Sequence, residues 1–449
     1  MSLVDLLAAI QHSLPYMVAL VFFAVYPIVT SLMWITTSLF FRRRWEKREV
    51  PPVRIHTPAV SILIPAHNEE RVIGGALTAA TTLHYPDYEV VVVDDGSTDA
   101  TRHVIEPFVA RGQVRLITKR QNEGKAMALN DALPFVQSGR VRLIDKRVNE
   151  GKAMALNDAL PMVRGEIVLI MDADAEPVPD ILDHMVPHFE HARVAAVTGN
   201  PRVKNVDTFL ARLQLIEFSS IVSLLRRSQR IWGRIMTVSG VVAAFRKSAL
   251  IDAGGFSPEM PTEDIELTWK LQRRFWDIRY EPRALVWMTV PSTLSGLIHQ
   301  RRRWSRGLMQ VLHKHRDVIM HWKYRRMWPI FIESSLSILW SACFVVLTSV
   351  WLISYVAGYP PVGAHPIPNL WGMLIATLAL GQLFTGTLLD RRYDPDTLKY
   401  FPYAVYYPIV YWMILAWTNF ISMPWLLRSP SKQAIRWRTV RKNFGEEAA

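Results

Sequence analysis

The chain has 449 residues, half of them hydrophobic, and a formal net charge of +13. Its mean hydropathy is positive, which is high for a soluble protein, so part of the chain should lie in a membrane. The length leaves room for one large domain beside that membrane part. A single cysteine, Cys343, excludes an intrachain disulfide.

Four apolar segments are long enough to cross a bilayer, which takes about 20 residues. We predict spans over residues 16–41, 328–357, 369–389 and 401–427, and among these Glu333 is the only charged residue. The first segment is too long for a cleaved signal peptide and lacks its basic leader. Residues 1–15 form a segment that is too short to span.

The positive charge is concentrated next to these spans. One basic cluster lies in the linker 42–57, directly after the first span, and another lies between 301 and 326, before the second. Basic residues beside spans mark the cytoplasmic side, so residues 42–327 should be cytoplasmic. Nucleic-acid binding is disfavoured, because the clusters flank spans instead of following one soluble face.

The tail 428–449 is also basic, although four crossings would place it on the opposite side. Either one long segment is a hairpin or interfacial, or the tail departs from the positive-inside rule. The sequence leaves both possibilities open.

Residues 58–290 alternate short apolar runs with amphipathic stretches. The runs at 60–65, 89–94, 167–172 and 194–198 predict buried strands, and the stretches 69–82 and 99–110 predict helices. This alternation is typical of an α/β fold with a doubly wound, mostly parallel sheet. Ligands of such sheets bind beyond the carboxyl ends of the strands. Residues 291–327 should form amphipathic interfacial helices.

A tandem duplication lies within this region, as units 112–138 and 139–165. Residues 114–134 recur at 141–161 with two differences, Thr118/Asp145 and Gln121/Val148. Two copies are too few for a repeat fold. We predict that the second copy, which leads directly into the strand at 167–172, holds the regular place in the sheet. The first copy should be an extra unit at the sheet edge or surface; alternatively, the duplication impairs the protein.

Two acidic motifs follow predicted strands. In Asp94-Asp95-Gly96-Ser97, a carboxylate can accept hydrogen bonds from a base or ribose, although a capped turn explains the same pattern. Asp172 and Asp174 lie two residues apart after another strand. Carboxylate pairs bind Mg²⁺ together with substrate phosphates, although a solvated acidic turn is the simpler interpretation.

Thr262-Glu263-Asp264 begins a helical pattern. The simpler interpretation makes Thr262 the N-cap, with acidic residues in the first turn. The functional interpretation makes Asp264 a general base.

The last motif, Gln300-Arg301-Arg302-Arg303-Trp304, lies on an amphipathic stretch. It suits a basic interfacial helix whose arginines extend toward lipid headgroups. Gln300, Arg303 and Trp304 also share one helix face, where Arg303 can pair with a diphosphate and Trp304 can stack on a sugar ring.

In this order, and followed by spans, the four motifs resemble the processive family 2 glycosyltransferases, which polymerise a sugar and pass the chain through the membrane. Longer strings resemble the branch that makes β-1,6-linked poly-N-acetylglucosamine, and the resemblance covers residues from about 25 to 440. These strings include VTGNPR at 197–202, VSGV at 238–241, TEDI at 262–265 and YEPRA at 280–284. Asp95 and Asp172 are 77 residues apart; without one 27-residue copy the spacing is 50, close to that of the family.

The resemblance implies a GT-A fold and a role for each motif. Asp264 would be the base, and Asp172 and Asp174 would serve the metal and the diphosphate. The nucleotide sugar would contact Glu69, Asp94, Asp95, Lys152 (or Lys125 of the first copy), Asp172, Gln300 and Arg303, and the acceptor would contact Ser239, Gly240, Glu263 and Trp304.

The resemblance also implies UDP-N-acetylglucosamine as donor, Mg²⁺ or Mn²⁺ as cofactor, and a place in the bacterial inner membrane, in biofilm matrix synthesis. A small membrane partner subunit and cyclic di-GMP are further expected partners. The alternatives are a hyaluronan, chitin or cellulose type of synthase and an inactive membrane scaffold. One-step glycosylation of a lipid carrier is disfavoured, because Gln300, Arg303 and Trp304 form a motif of processive enzymes.

Overall fold

A computed structural model describes residues 2–46, 55–111, 115–118, 141–146, 149–359 and 370–428, together with Gln433 and Ile435. The chain divides into two compact units. The helical unit comprises Met1–Lys47, Phe209–Gly233 and Leu294–Ser429, and the sheet unit comprises Arg48–Thr208, Arg234–Thr293 and Pro430–Ala449. The predicted domain 58–290 is therefore interrupted, because Phe209–Gly233 groups with the helical unit.

The sheet unit is built on one mixed sheet, with nine strands in the described part of the chain, in the order β3-β4-β2-β1-β5-β8-β7-β9-β6. The strands are β1 (Val60–Ala66), β2 (Tyr88–Asp95), β3 (Arg115–Thr118), β4 (Val141–Lys146), β5 (Ile167–Met171), β6 (Glu176–Pro177), β7 (Val194–Val203), β8 (Val242–Arg246) and β9 (Asp277–Met288).

The α-helices alternate with these strands and also form the helical unit. In chain order they are α1 (Leu3–Gln11), α2 (Leu14–Phe41), α3 (Ile73–Ala80), α4 (Thr101–Ala110), α5 (Lys152–Ala159), α6 (Ile181–Met185), α7 (Phe209–Ile216), α8 (Ser223–Trp232), α9 (Lys247–Asp252), α10 (Glu263–Arg273), α11 (Leu294–Lys314), α12 (Trp328–Val356), α13 (Leu370–Asp390) and α14 (Trp412–Ser422).

Strands β3, β4, β2, β1 and β5 are parallel, and their order reverses around β1. Every residue of β1, β2 and β5 is buried, which explains their continuous apolar runs. Beyond β5 the sheet is mixed, because β8 runs antiparallel to β5 and β7. The prediction of an α/β fold with a mostly parallel sheet is confirmed. Strands β8 and β9 were not predicted; a run as short as β8 carries no decisive periodicity.

The two copies of the duplication occupy different places in the sheet. Strand β4, from the second copy, pairs with β2 from Val90↔Val141 to Asp95↔Lys146. Strand β3, from the first copy, pairs with β4 and lies at the sheet edge. This is the arrangement that we expected from the second copy's direct connection to β5. The remainder of the first copy, including Lys125, lies outside the described residues.

Residues at the end of the second copy explain why this copy, and not the first, occupies the place beside β2. A Cβ atom on Gly165 would lie 2.4 Å from the backbone nitrogen of Ser61 in β1, so the position requires glycine. The preceding Arg164 donates from its backbone nitrogen to Glu89 at 2.7 Å. Twenty-seven residues earlier, the first copy has Ser138 in place of Gly165 and Gln137 in place of Arg164. The first copy therefore lacks the residue that the approach to β1 demands.

Four helices in the described part of the chain are long and apolar enough to cross a membrane. They are Leu14–Glu46, Trp322–Val356, Leu370–Asp390 and Pro395–Leu426, and they match the four predicted segments. The last is irregular: 3₁₀ turns at Pro395–Tyr406 and Met423–Leu426 and a π-helical turn at Tyr407–Tyr411 surround α14. Prolines lack the backbone N–H that continues an α-helix, and several lie in this span.

Candidate active site

Lys152 is the residue on which the acidic motifs of the sheet unit converge. Its Nζ lies 2.6 Å from Asp172 Oδ1 and 3.2 Å from Glu263 Oε1, and donates to the carbonyl of Gly240 at 3.3 Å. A Cβ on Gly240 would lie 2.9 Å from Asp264 Oδ2, so a larger residue at this position would displace the Asp264 carboxylate. The fold thus brings together motifs from four separate parts of the chain.

The positive charge of Lys152 explains how the carboxylates of this cluster can lie close together. Burial by itself would lower the pKa of Lys152, but the carboxylates of Asp172 and Glu263 outweigh burial and raise that pKa well above its ordinary value. Lys152 is therefore a permanent cation among three carboxylates. It offsets the repulsion between Asp172, at the end of one strand, and Glu263 and Asp264, at the start of α10.

The loop that carries Lys152 is held by Asp95. The side chain of Asp95 is fully buried, and its Oδ2 accepts hydrogen bonds from the backbone nitrogens of Glu150 at 3.1 Å and Gly151 at 2.7 Å. Gly151 has a φ of 93°, which glycine adopts readily, and α5 begins at the next residue. Asp95 therefore places Lys152 through the backbone of the second copy.

Asp94 and Glu69 join two neighbouring strand ends. Asp94 is buried and accepts from the backbone nitrogen of Ser97 at 3.1 Å, as a capped turn would. The hydroxyl of Ser97 in turn accepts from the backbone nitrogen of Asn68 at 2.9 Å. The next residue, Glu69, is buried, and its backbone nitrogen donates to Thr101 Oγ1 at 2.7 Å. These hydrogen bonds thus connect the two predicted nucleotide-binding motifs within the sheet unit.

Buried and half-buried residues alternate along the segment after β5 that contains Asp172 and Asp174. The intervening Ala173 and the following Ala175 are buried, whereas both aspartates are half-buried. No cluster of three or more His, Cys, Asp or Glu residues within the described ranges is placed to hold a metal ion. Two carboxylates suffice for Mg²⁺ when phosphates and water complete its shell, so this donor set fits a divalent cation that binds together with a diphosphate.

Helix α10 positions the predicted base. Thr262 occupies the N-cap position and Glu263 and Asp264 lie in the first turn, as the simpler interpretation predicts, but the side chain of Thr262 makes no capping hydrogen bond. Its buried Oγ1 has no hydrogen-bond partner among the described residues. Asp264 is half-buried, and its Oδ1 accepts from the backbone nitrogen of Ile265 at 2.9 Å. The second oxygen, Oδ2, faces Gly240.

Three residues of α10 that the sequence pattern did not single out as site residues clamp the segment leading to Ser239 and Gly240. Thr268 Oγ1 accepts from the backbone nitrogen of Val238 at 3.0 Å. Trp269, fully buried, donates from Nε1 to the carbonyl of Met236, and Gln272 bonds both backbone groups of Ile235. The sequence signal for these residues is that the polar Thr268 and Gln272 lie four positions apart, on the buried face of α10. Ser239 is anchored separately, from its nitrogen to Thr198 Oγ1 at 2.8 Å.

The remaining predicted site residues lie on α11 in the helical unit. Gln300 and Trp304 are half-buried and Arg303 is exposed. The neighbouring Arg301, which was not predicted as a site residue, is buried and bonds Glu217 at 2.6 Å. The predicted helix is present. On it, Arg301 is buried, whereas Arg303 is exposed.

Comparison with known proteins agrees with this geometry. The family model described as "Glycosyltransferase like family 2" matches residues 58–307, more than half of the chain. The chain belongs to glycosyltransferase family 2. The matched residues include the strands of the sheet unit and the acidic motifs around Lys152.

Curated relatives of this family 2 enzyme cover nearly its whole length. The poly-β-1,6-N-acetyl-D-glucosamine synthase of Staphylococcus epidermidis is 30% identical over 428 residues, which is 93% of this chain and 96% of the relative. The synthase of the same name from Staphylococcus aureus is 29% identical over 429 residues, with the same coverage.

A mannosyltransferase from Pyrobaculum calidifontis, solved in complex with GDP-Man and Mn²⁺, shares the fold with a TM-score of 0.56 and 23% sequence identity. The alignment covers 89% of this chain and 98% of that protein. The predicted GT-A architecture is confirmed.

Proposed function

We propose that this enzyme polymerises N-acetylglucosamine from UDP-N-acetylglucosamine into a β-1,6-linked chain. The observation that carries the proposal is the contact of Lys152 with both Asp172 and Glu263, beside Asp264 and Gly240. This contact brings together two kinds of carboxylate. Asp172 and Asp174 form a pair that suits a cation bound to a diphosphate, and Asp264 is a carboxylate that suits a general base. The names of relatives that match 93% of the chain supply the sugar and the linkage.

In the proposed reaction, Asp264 removes the proton from the 6-hydroxyl of the acceptor as that oxygen attacks the anomeric carbon. The bond from the anomeric carbon to the diphosphate breaks, and UDP leaves with the electron pair. One displacement converts the α-linked donor into a β-linked product. Asp172 and Asp174 would hold a divalent cation, which would offset charge on the departing diphosphate. The positive charge of Lys152 holds Asp172, on the donor side, close to Glu263, on the acceptor side.

The other predicted residues take roles on either side of this reaction. We propose that Glu69, Asp94 and Asp95 form the uridine side of the site, with Asp95 acting through the loop that carries Lys152. Ser239, Gly240 and Glu263 would border the acceptor sugar. The motif on α11 would add Gln300 and Arg303 to the nucleotide-sugar side and Trp304 to the acceptor side.

The four candidate spans support a multi-pass protein of the bacterial inner membrane that moves its product across the bilayer. We further propose that the catalytic unit is cytoplasmic, that the product enters a biofilm matrix, and that a small membrane subunit and cyclic di-GMP assist synthesis.

Product analysis tests the sugar and the linkage. Membranes containing the protein, with and without a candidate partner subunit, are supplied with radiolabelled UDP-N-acetylglucosamine and Mg²⁺. We expect high-molecular-weight product that a β-1,6-specific hexosaminidase digests. A product that only chitinase or hyaluronidase digests would assign the enzyme to another branch of polymer synthases.

Replacement of the base tests the mechanism. Asp264→Asn should lower the rate of polymerisation about 100-fold or more, because a positioned base contributes that much to proton transfer. Binding of UDP should be retained. Asp252→Asn is the matched control, because Asp252 is an exposed aspartate of the same unit that pairs with Arg274. Polymerisation by Asp264→Asn at the wild-type rate would remove Asp264 as the base.

A further inference from the structure

A buried polar network in the helical unit surrounds the motif on α11. Glu217 Oε2 accepts hydrogen bonds from Arg301 Nη2 at 2.6 Å and from Tyr411 Oη at 2.7 Å. The guanidinium carbon of Arg301 lies over the ring of Trp304, 4.2 Å from its centroid, and 5.6 Å from the centroid of Tyr411. Glu217, Arg301 and Tyr411 are each at most 5% exposed.

This network is costly, and stability does not account for it. A buried ion pair often contributes no more to folding than apolar residues of the same size would. Burial alone would lower the pKa of Arg301, but Glu217 outweighs burial and raises it, so the guanidinium stays charged. The protein therefore maintains a full positive charge in its interior, against one face of a tryptophan.

The backbone around the network is also unusual. Glu217 begins the π-helical turn Glu217–Val222, and Tyr411 ends the π-helical turn Tyr407–Tyr411. Such turns are rare and occur frequently at functional sites. Two of them deliver the two partners of Arg301, from segments nearly two hundred residues apart.

We infer that Glu217, Arg301 and Tyr411 are positioning residues that hold the indole of Trp304 for the acceptor sugar. This inference rests on the proposed role of Trp304 in binding the growing chain. Arg301 covers one face of the indole, so a sugar can stack only on the other face. Glu217 and Tyr411 prevent the guanidinium from turning away.

A double-mutant cycle separates this role from a general structural one. Arg301→Lys keeps the charge but loses the planar group that stacks on Trp304. We expect the KM for a short N-acetylglucosamine oligomer to rise about tenfold, the upper range for a desolvated cation–π contact, and product chains to shorten. The KM for UDP-N-acetylglucosamine should not change. In a Trp304→Phe background, Arg301→Lys should add little, because its effect acts through the indole.

Two further variants complete the experiment, one as a second probe of the network and one as a control. Tyr411→Phe removes one hydrogen bond to Glu217 and keeps the ring, so it should shift the acceptor KM in the same direction even if Arg301→Lys does not fold. Arg302→Lys is the matched control, because Arg302 is the exposed neighbour on the same helix, and it should behave as wild type.

The outcomes distinguish the two proposals. If Trp304→Phe leaves the acceptor KM and the chain length unchanged, the proposed role of Trp304 is wrong. If Trp304→Phe changes them but Arg301→Lys and Tyr411→Phe do not, only the positioning network is refuted. Effects of Arg301→Lys and Trp304→Phe that simply add would also overturn it.

Discussion

Single residues of the sheet unit connect motifs that lie far apart in the sequence. Asp95 accepts backbone hydrogen bonds from Glu150 and Gly151 and so places Lys152, although it belongs to a motif expected to touch nucleotide. Lys152 in turn contacts Asp172 and Glu263. A mutation of Asp95 should therefore affect Asp172 and Glu263 through Lys152.

Replacement of Lys152 should show this dependence. In Lys152→Met, the facing carboxylates lose the cation between them, and we expect the rate of polymerisation to fall about 100-fold, as when a preorganised donor is removed from an active site. Steady-state assays with radiolabelled donor measure the change. Lys247→Met is the control, because the Nζ of Lys247 donates to the backbone carbonyl of Val163 and Lys247 lies on another helix of the unit. Equal losses in both variants would argue against a special role for Lys152.

A second residue-scale prediction concerns acid stability. Glu281 is buried and bonded by Arg283 Nε at 2.8 Å and His188 Nε2 at 2.9 Å, while Arg279 lies 3.5 Å from the other nitrogen of His188. Burial would raise the pKa of Glu281, but the hydrogen bonds from Arg283 and His188 prevail and lower it from 4.5 to about 2. A lowered pKa stabilises the fold above pH 4.5, and that contribution is lost as the pH falls toward 2.

The contribution is on the order of 3 kcal/mol at neutral pH. Glu281→Gln should therefore lower the unfolding temperature at pH 7 and flatten its decline between pH 4.5 and 3. Thermal unfolding of the detergent-solubilised protein at stepped pH measures both. Parallel curves for wild type and variant would show that Glu281 does not carry this acid sensitivity.

At the scale of elements, the duplication shows how nearly identical segments reach different positions. Both copies contain the same strand and helix pattern, and local propensity does not choose between them. The choice rests on Gly165, whose Cβ would overlap the backbone of Ser61. The first copy has Ser138 at that position, and its described residues form the edge strand β3.

Removal of each copy should therefore have opposite effects. Deletion of 112–138 joins Arg111 to Gly139 and leaves a short connection from α4 to β4, of a length common between helices and strands. We expect a folded enzyme with at least wild-type activity. Deletion of 139–165 places Ser138 beside β1 and should give little folded protein. Gly165→Ser in the full chain should cost about 1–3 kcal/mol through the same overlap. Folded yield and polymerisation of the two deletions measure the difference.

At the scale of the whole molecule, the helical unit takes a segment from the middle of the chain. Arg227 of α8 is fully buried and bonds Glu46 Oε1 at 2.6 Å and Asp390 Oδ1 at 2.7 Å. Ser223 also donates to Asp390 at 2.9 Å. These contacts tie the first span, the segment Phe209–Gly233 and the third span together, so their polar cluster is a long-range constraint on the unit.

Removal of this arginine should destabilise the helical unit. Arg227→Met leaves two buried carboxylates uncompensated, which costs about 3–5 kcal/mol when one partner of a buried pair is lost. We expect a lower unfolding temperature and less monodisperse protein in detergent. The triple variant Arg227→Met, Glu46→Gln, Asp390→Asn removes all three charges and should recover much of the loss. No recovery would point to packing of the arginine, and not its charge.

The sequence by itself determined the α/β class, the four apolar spans and the acidic motifs at strand ends. Continuous apolar runs such as Val90–Val93 and charge-free segments are local properties, and burial on both faces or in lipid leaves a direct mark on composition. The family resemblance added the expected chemistry of Asp172, Asp174 and Asp264. The same pattern located the start of α10 at Thr262, although the side chain of Thr262 makes no capping hydrogen bond.

Only the tertiary structure decided which groups meet. Nothing local to Lys152 predicts its contacts with Asp172 and Glu263, and nothing local to Arg301 predicts Glu217. These partners lie on elements far apart in the chain, and they come together because buried charges must find opposite charges when the elements pack. Arg227, in the segment Phe209–Gly233, likewise bonds Glu46 and Asp390, which lie far from it in the sequence.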